Sequence, residues 1–536
     1  MRSKATGKNW LASTASMTVF AGILVFTGRP TDSAPLPERT RSQPVAMFGG
    51  GPSRNLVNLL DRNMPTVWNV EKGKEQNVLW SIQLGTKAYG GPIITSGKIF
   101  IGTNNGVPRD PKIVGDKGVL MCFEAKTGKF LWQSVHDKLP SGRVNDWPEE
   151  GVISKPVVEG DRLYYVSNRG EVICATTDGA GNGKAEIVWR LVMINAFNVF
   201  PHNASTCSPL IVGDSLFVVT GNGVDLNHLN IPQPEAPSFL ALDKKTGKLL
   251  WKSNLPSVRL AEERKRNPEV ATKTLVDKGL ILMHGQWSNP VYAEPGGKPM
   301  VIFPGGDGWL RAFNPRNGDL LWKFDCNPKA SFYILGPKAT RNDIVATPVI
   351  WENKLYVGVG QDPEHLKGVG HLWCVDITKV PANADKDLSP VNDNIDPQAP
   401  VNKNSGLVWH YGGENRAKKS RPYYFGRTIS TCAVHEGLIY ATEYDGWVHC
   451  LDARTGAKYW DHNMDADTWC SPYWVDGKVY IGNEIGEILI FEHGKLKRLL
   501  NTIDMNCLIR EPVVASDGVL YVVTENPCRL YALRDR

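Results

Sequence analysis

The sequence predicts an all-β fold, an eight-bladed β-propeller of four-stranded antiparallel blades. Three observations carry that prediction. One pattern recurs eight times: a Pro near a short β run, a Gly turn, a second β run, a Leu-x-Cys/Ala-Leu-Asp-like run, then Thr-Gly and Leu-Trp. Its Trp ends fall at Trp80, Trp132, Trp189, Trp251, Trp322, Trp409 and Trp460, with Leu500 in the eighth place. The runs between them carry strand signals and no helix signal. The last copy also stops after its third run, RLYALRDR, whereas the first Trp run, VLWSIQL at 78–84, has no earlier strands of its own. The N-terminal run should therefore supply the fourth strand of the last blade, closing the ring and removing two open sheet edges.

The shortest copy shows how one blade is built. Residues 472–500 hold alternating apolar runs separated by Asp476-Gly477, Ile485-Gly486 and His493-Gly494. Asp-Gly is a two-residue hairpin turn because both positions tolerate positive φ. The copies begin at Pro92, Pro156, Pro209, Pro290, Pro348, Ala433, Pro472 and Pro512. Proline at a strand's first residue removes no ladder hydrogen bond. The third run ends in Asp-x-x-Thr-Gly at Asp243–Gly247 and Asp452–Gly456, with variants at 124–128 and 314–318. There Asp closes its own turn and Gly supplies the left-handed residue. The Trp that follows is expected between neighbouring blades, burying a large flat apolar area.

The copies differ in length, and the differences are ordered. Turns between first and second strands stay short. Insertions occupy 104–117, 223–237 and 361–370, between second and third strands, and 134–154, 253–286, 326–345 and 410–428, between blades. In an antiparallel blade those two kinds of connection emerge on one face, so one face should be flat and the other should carry the function. The exception is 380–406, rich in Asp, Asn and Pro, expected to hang loosely on the opposite rim.

Bulk composition narrows the function classes. The chain has 536 residues, 42% of them hydrophobic, with 52 Gly and 36 Pro, which suits one large toroid made of turns. Net charge is +6, with no basic run interleaved with aromatics, so nucleic acid is not an expected partner. Residues 1–28 read as a signal peptide or signal anchor, with Arg2, Lys4 and Lys8 before an apolar stretch. This predicts export to a periplasmic or other extracytoplasmic compartment, with membrane association only through that segment. Residues 29–77 read as a Pro-rich linker, and 78–536 as the propeller. The ten Cys make no metal or haem motif; Cys122, Cys174, Cys374 and Cys450 take a third-strand slot filled elsewhere by Ala, so they read as small buried hydrophobes.

The strings Ala-Leu-Asp-x-x-Thr-Gly-x-x-Leu-Trp resemble the pyrroloquinoline-quinone (PQQ) type repeat over residues 78–536. That repeat is found in quinoprotein dehydrogenases and in the outer-membrane assembly factor BamB, so the resemblance implies a fold and leaves enzyme and scaffold both open. The stretch 216–251 is similar to the quinoprotein segment whose Gly-x-Gly-Asn strand end supplies a calcium ligand, which places that role on Asn222. The stretch from His284 resembles the segment carrying the catalytic base, but His284 is followed by Gly285, Gln286 and Trp287, with no carboxylate. The adjacent Cys-Cys pair of the enzymes is absent as well.

The candidate site gathers on the loop-rich face. His202, Asn222, His284, Gln286, Trp287, His365, His371 and Arg427 are the candidate ligand- or cofactor-binding residues, with His228 nearby. Asn222, Asp362 and Glu364 are a candidate oxygen set for a hard cation. Two readings follow. The first is an exported, non-catalytic binding or scaffold module taking a protein partner or small ligand on that face. The alternative is a divergent quinoprotein oxidoreductase using PQQ and Ca2+.

Overall fold

In the computed structural model, residues 45–277, 280–281, 284–332, 338–390, 402–415 and 421–535 are described. They form eight antiparallel blades, at 90–137, 157–192, 210–253, 291–325, 349–414, 433–463, 473–504 and 514–533, the last joined by 78–83. In six blades the first strand starts within two residues after its Pro, as in Val157–Glu159 after Pro156 and Tyr473–Val475 after Pro472. Val78–Gln83 pairs antiparallel with Arg529–Leu533, Trp80 opposite Ala532. The reading of 1–28 as an export signal lies outside the described residues. Among the described residues no helix is long and apolar enough to cross a membrane.

The repeated Trp locks each blade to the next. Six of these indoles donate Nε1–H to a backbone carbonyl in the following blade's third turn or just before it: Trp80 to Lys126, Trp132 to Thr177, Trp189 to Lys244, Trp251 to Pro315, Trp409 to Ala453 and Trp460 to Gly494. The Gly of that turn is required where the indole lies flat on it. Gly247 has φ 70° and a Cβ there would sit 2.6 Å from Trp189; Gly318, φ 74°, would meet Trp251 at 2.7 Å. Thus one sequence unit, Thr-Gly plus Trp, encodes the inter-blade contact rather than anything within a blade. Trp322 is equally buried, but nothing among the described residues accepts from its Nε1. The turn it would reach carries the 380–406 insertion.

That insertion is a correction. Its described part is not loose: Leu388 is fully buried, Lys323 N donates to Lys386 O, and Leu388 N donates to Lys323 O. A polar segment read as disordered instead adds backbone pairs to the outer edge of the fourth blade.

The linker reading of 29–77 is corrected more strongly over its described part, 45–77. From residue 45 onward the chain is a strap threaded down the ring axis. Val45–Ala46 pairs with the first strand of the second blade. Arg54 donates to carbonyls of Ser208, Pro209 and Pro290, Tyr292 N to Pro52 O, and Ile350 N to Ser53 O. Asn55 exchanges two hydrogen bonds with Val434, and Val57–Asn58 pairs parallel with Trp474–Val475. Asn58 also donates to Ala515 O. The strap thereby visits the first strands of blades two to eight in turn. Those strands are the innermost, and their free edges face the axis. The segment suits this place because it supplies hydrogen-bonding groups to those edges while Met47, Phe48 and Leu56 are buried in the core. Beyond Asn58 it crosses the short turns, where Gly518 N donates to Asp61 and Met64 N to Asp476, and ends in the 78–83 strand.

Candidate functional site

Because the strap stops the axial channel from one side, what remains is a cup of about 470 Å3. Its wall is the stretch entering each first strand: residues around 153–155, 204–208, 287–289, 345–347, 429–431, 469–471 and 510–512. Phe48 of the strap contributes to it, and Tyr89, Trp147, Trp287 and Trp469 give it aromatic faces. The volume is that of a small-molecule site. The blade-to-blade and second-to-third-strand loops border it, the face to which the insertions were assigned.

The cup's charges are mostly acidic. Lys155 pairs with Glu511 at 3.0 Å, and Arg510 is held by Glu484 at 2.9 Å and Glu525 at 3.3 Å. Arg510 also lies against both Tyr89 and Trp469, its guanidinium carbon 5.4 and 4.1 Å from their ring centres. Burial pushes the carboxyls of Glu150 and Glu511 up, and that of Glu525 to about 7. One buried oxygen on each of Glu150 and Glu525 has no hydrogen-bond partner among the described residues.

Beside the cup wall, four long loops bring histidines together. His202 precedes the third blade, His228 lies in the 223–237 insertion, His284 precedes the fourth blade, and His365 ends the Pro363–His365 turn. Ring centres are 4.7 Å apart for His202–His228, 4.5 Å for His202–His284 and 4.9 Å for His228–His284. His365 is 5.2 Å from His228 and 5.4 Å from His284. Trp287 covers the group: its ring stacks on His202 at 21°, lies edge-on to His284 at 4.3 Å, and donates Nε1–H to His202 O. The loops can close this tightly because a Cβ at Gly223 would lie 2.8 Å from Gly285 Cα and 2.9 Å from His202 Cβ.

Burial keeps these imidazoles neutral. It lowers His202 to about 3 and His365 to about 4, drives His284 well below its usual range, and lowers His228. Asp362 Oδ2 is 4.0 Å from His284 Nε2, and burial raises that carboxyl to about 6. Its Oδ1 accepts from Glu364 N and so shapes the turn that carries His365.

The remaining predicted residues separate. Arg427 is a positioning group: buried, it donates to the carbonyls of His365 and Leu366 at 2.8 and 2.9 Å and so holds that turn. Asn222 braces two loops: its Oδ1 accepts from Phe200 N at 2.9 Å and its Nδ2 donates to Gln233 O at 3.1 Å, tying the His202 stretch to the 223–237 loop. Gln286 Oε1 accepts from Gly306 N, a similar bracing role. Glu364 is half-exposed at the cup's rim, 4.0 Å from Arg143. His371 lies inside the fifth blade, its Nδ1 2.8 Å from His410 Nε2. The oxygen set Asn222–Asp362–Glu364 thus gives way to an imidazole set. His228, passed over in the ligand set, is its most telling member, a non-glycine residue at φ 58°.

The fold and this arrangement define a class, a ring of PQQ-type repeats with an axial binding cup. The family described as outer membrane protein assembly factor BamB matches residues 65–291 and, overlapping, 116–379. The chain belongs to this PQQ-repeat family. No curated protein matches it. Among solved structures, the quinohemoprotein alcohol dehydrogenase of Comamonas testosteroni is 11% identical with TM-score 0.57, covering 91% of this chain and 80% of that one. A europium-containing methanol dehydrogenase is 12% identical with TM-score 0.55, covering 91% of each chain. BamB from Moraxella catarrhalis is 14% identical with TM-score 0.49, covering 86% of this chain and 97% of that one. At such identities the likeness concerns the fold.

Proposed function

We propose that this protein is a non-catalytic, extracytoplasmic binding propeller whose axial cup takes one small molecule, neutral or cationic, with an apolar face and several hydrogen-bond donors. The observation that supports this most is the cup itself, made blind by the strap and lined by Tyr89, Trp147, Trp287 and Trp469. Aromatic faces take the apolar side of such a ligand. The unpartnered oxygen of Glu150 calls for a donor.

The quinone alternative fits these residues poorly. PQQ is a tricarboxylate and needs cations or free donors. The lining cations Lys155 and Arg510 are already paired with carboxylates, and Glu150, Asp362, Glu364 and Glu511 add negative charge to the wall. Asn222 is engaged with backbone at both ends of its amide. The ten Cys are all free and buried, so no ring disulfide supports a flat cofactor.

The test is calorimetry with three probes: a neutral hexose, a diamine and PQQ with Ca2+. Binding of the hexose or the diamine at one per ring, abolished by Thr431→Trp, which fills the cup, is the expected result. Saturable PQQ uptake at about 10 μM or tighter, with dye-linked alcohol oxidation, would overturn the proposal in favour of the oxidoreductase.

A further inference from the structure

The histidine group has chemistry that the cup does not use, and it stands whether or not the cup reading holds. We propose that His202, His228 and His284, completed by His365, bind one divalent transition-metal ion of the zinc or cobalt type, stapling four long loops behind the cup wall.

Geometry comes first. His202, His228 and His284 each offer a nitrogen, and the three nitrogens lie within 4.8 Å of one another. A point equidistant from three atoms at that spacing lies about 2.8 Å from each, against about 2.0–2.1 Å for a zinc–imidazole bond. Closing the difference takes a shift of about 0.7 Å per ring, within reach of small χ adjustments on loops.

The second argument is hydrogen bonding. His202 Nδ1 is 2.9 Å from Val224 O, which assigns the proton to Nδ1 and leaves a lone pair on Nε2. That Nε2 is buried without a partner among the described residues, and so are His228 Nε2, His284 Nδ1 and His365 Nδ1. Buried imidazole nitrogens ordinarily find a donor or acceptor. Four such nitrogens gathered in one cluster are what a site prepared for a cation presents. Backbone carbonyls and carboxylates commonly hold the far nitrogen of a metal-bound histidine. Val224 O does so for His202, and Asp362, 4.0 Å from His284 Nε2, is placed to do so for His284.

The third argument is ligand type and support. Four imidazoles with no thiolate suit zinc, cobalt, nickel or copper rather than calcium. The frame is built: Trp287 seals one side, Arg427 fixes the His365 turn, and His228 is held at a left-handed φ. Each ligand comes from a different loop, so one ion would join the approaches to the third, fourth and fifth blades.

The experiment uses the full chain, without a polyhistidine tag, stripped with chelator and titrated with Co2+ and then Zn2+. One equivalent should bind, with the visible d–d absorption of four-coordinate Co2+, while Mg2+ and Ca2+ leave the melting temperature unchanged. His228→Gln and His365→Gln, at partly exposed rings whose loss leaves the fold intact by circular dichroism, should each weaken Co2+ at least about 100-fold. His410→Gln, outside the cluster, should bind as wild type. Uptake of under half an equivalent at ~10 μM metal, or unchanged affinity in both His variants, would overturn the proposal. Because sugar, amine or quinone binding is read separately, failure here leaves the cup reading standing.

Discussion

Arg54 is the sharpest test of the strap. Its side chain is fully buried and has no carboxylate partner; it donates instead to the carbonyls of Phe48, Ser208, Pro209 and Pro290 at 2.9–3.2 Å. Burial lowers the guanidinium to about 10, which still leaves it charged. Four hydrogen bonds from a charged donor contribute about 1.5–3 kcal/mol each, a gross of about 6–12 kcal/mol. Desolvating the guanidinium offsets several kcal/mol of that. Arg54→Met keeps the bulk and orphans four buried carbonyls, so the net loss should be about 3–5 kcal/mol. Unfolding entropy is about 2.1 cal/mol/K per residue, or ~1 kcal/mol/K for a ring of about 490 residues, so the melting temperature should fall by only about 4 °C. Chemical denaturation is therefore the better assay, paired with limited proteolysis of the 45–58 segment. Arg54→Lys, with the charge but three donors at one point, should lie between. If Arg54→Met stays within ~1 kcal/mol of wild type and its strap resists protease equally, water can replace the guanidinium and the strap is not held in this way.

Three further outcomes follow from the same physics. Trp251→Phe removes the 2.9 Å hydrogen bond to Pro315 O and should lose about 1–3 kcal/mol in urea denaturation. Gly318→Ala, with φ 74° and a new Cβ 2.7 Å from Trp251, should lose about 2–4 kcal/mol, partly recovered when combined with Trp251→Leu; simple additivity would refute the contact. Burial raises Glu525 from the usual 4.5 to about 7 despite Arg510, so the folded ring holds that proton more tightly than the unfolded chain. Its contribution to stability is then lost as pH rises from about 4.5 to 7. Glu525→Gln should gain stability relative to wild type between pH 5 and pH 8, and a difference independent of pH would remove the argument.

What the sequence disclosed and what it hid divide along contact distance and period. Trp189 and Gly247 are legible because most blades repeat one or both, so weak signals add. The face carrying the insertions is legible because strand direction alternates, a rule needing only order along the chain. His202, His284 and His365 could be nominated from that face, yet nothing in the sequence says that His228 completes them while His371 pairs with His410 inside a blade. That depends on which way each loop folds back. Arg54 and Asn58 were hidden most deeply. Their partners are 155 and 457 residues away, and a short segment rich in Gly, Asn and Pro with no strand periodicity has the look of a linker.

The strap also explains why the cup opens toward the face that carries the insertions. Innermost strands of a propeller leave ladder groups facing the channel, and an unfilled channel would be lined with them. Filling it from one side satisfies those groups on seven blades and fixes the depth of what remains. The residues entering each first strand then become the wall of a cup instead of a pore. The histidine loops lean on that wall through Trp287 and the Asp362–Glu364 turn, residues shared by cup and cluster. A ligand in the cup presses on the side of the turn opposite His365. Occupancy of one site should therefore bias the geometry of the other, and by reciprocity the coupling must be equal in both directions. Calorimetry of a bound cup ligand with and without one equivalent of Zn2+ should give different affinities, and identical values would mean that the turn is rigid and the two sites are merely neighbours.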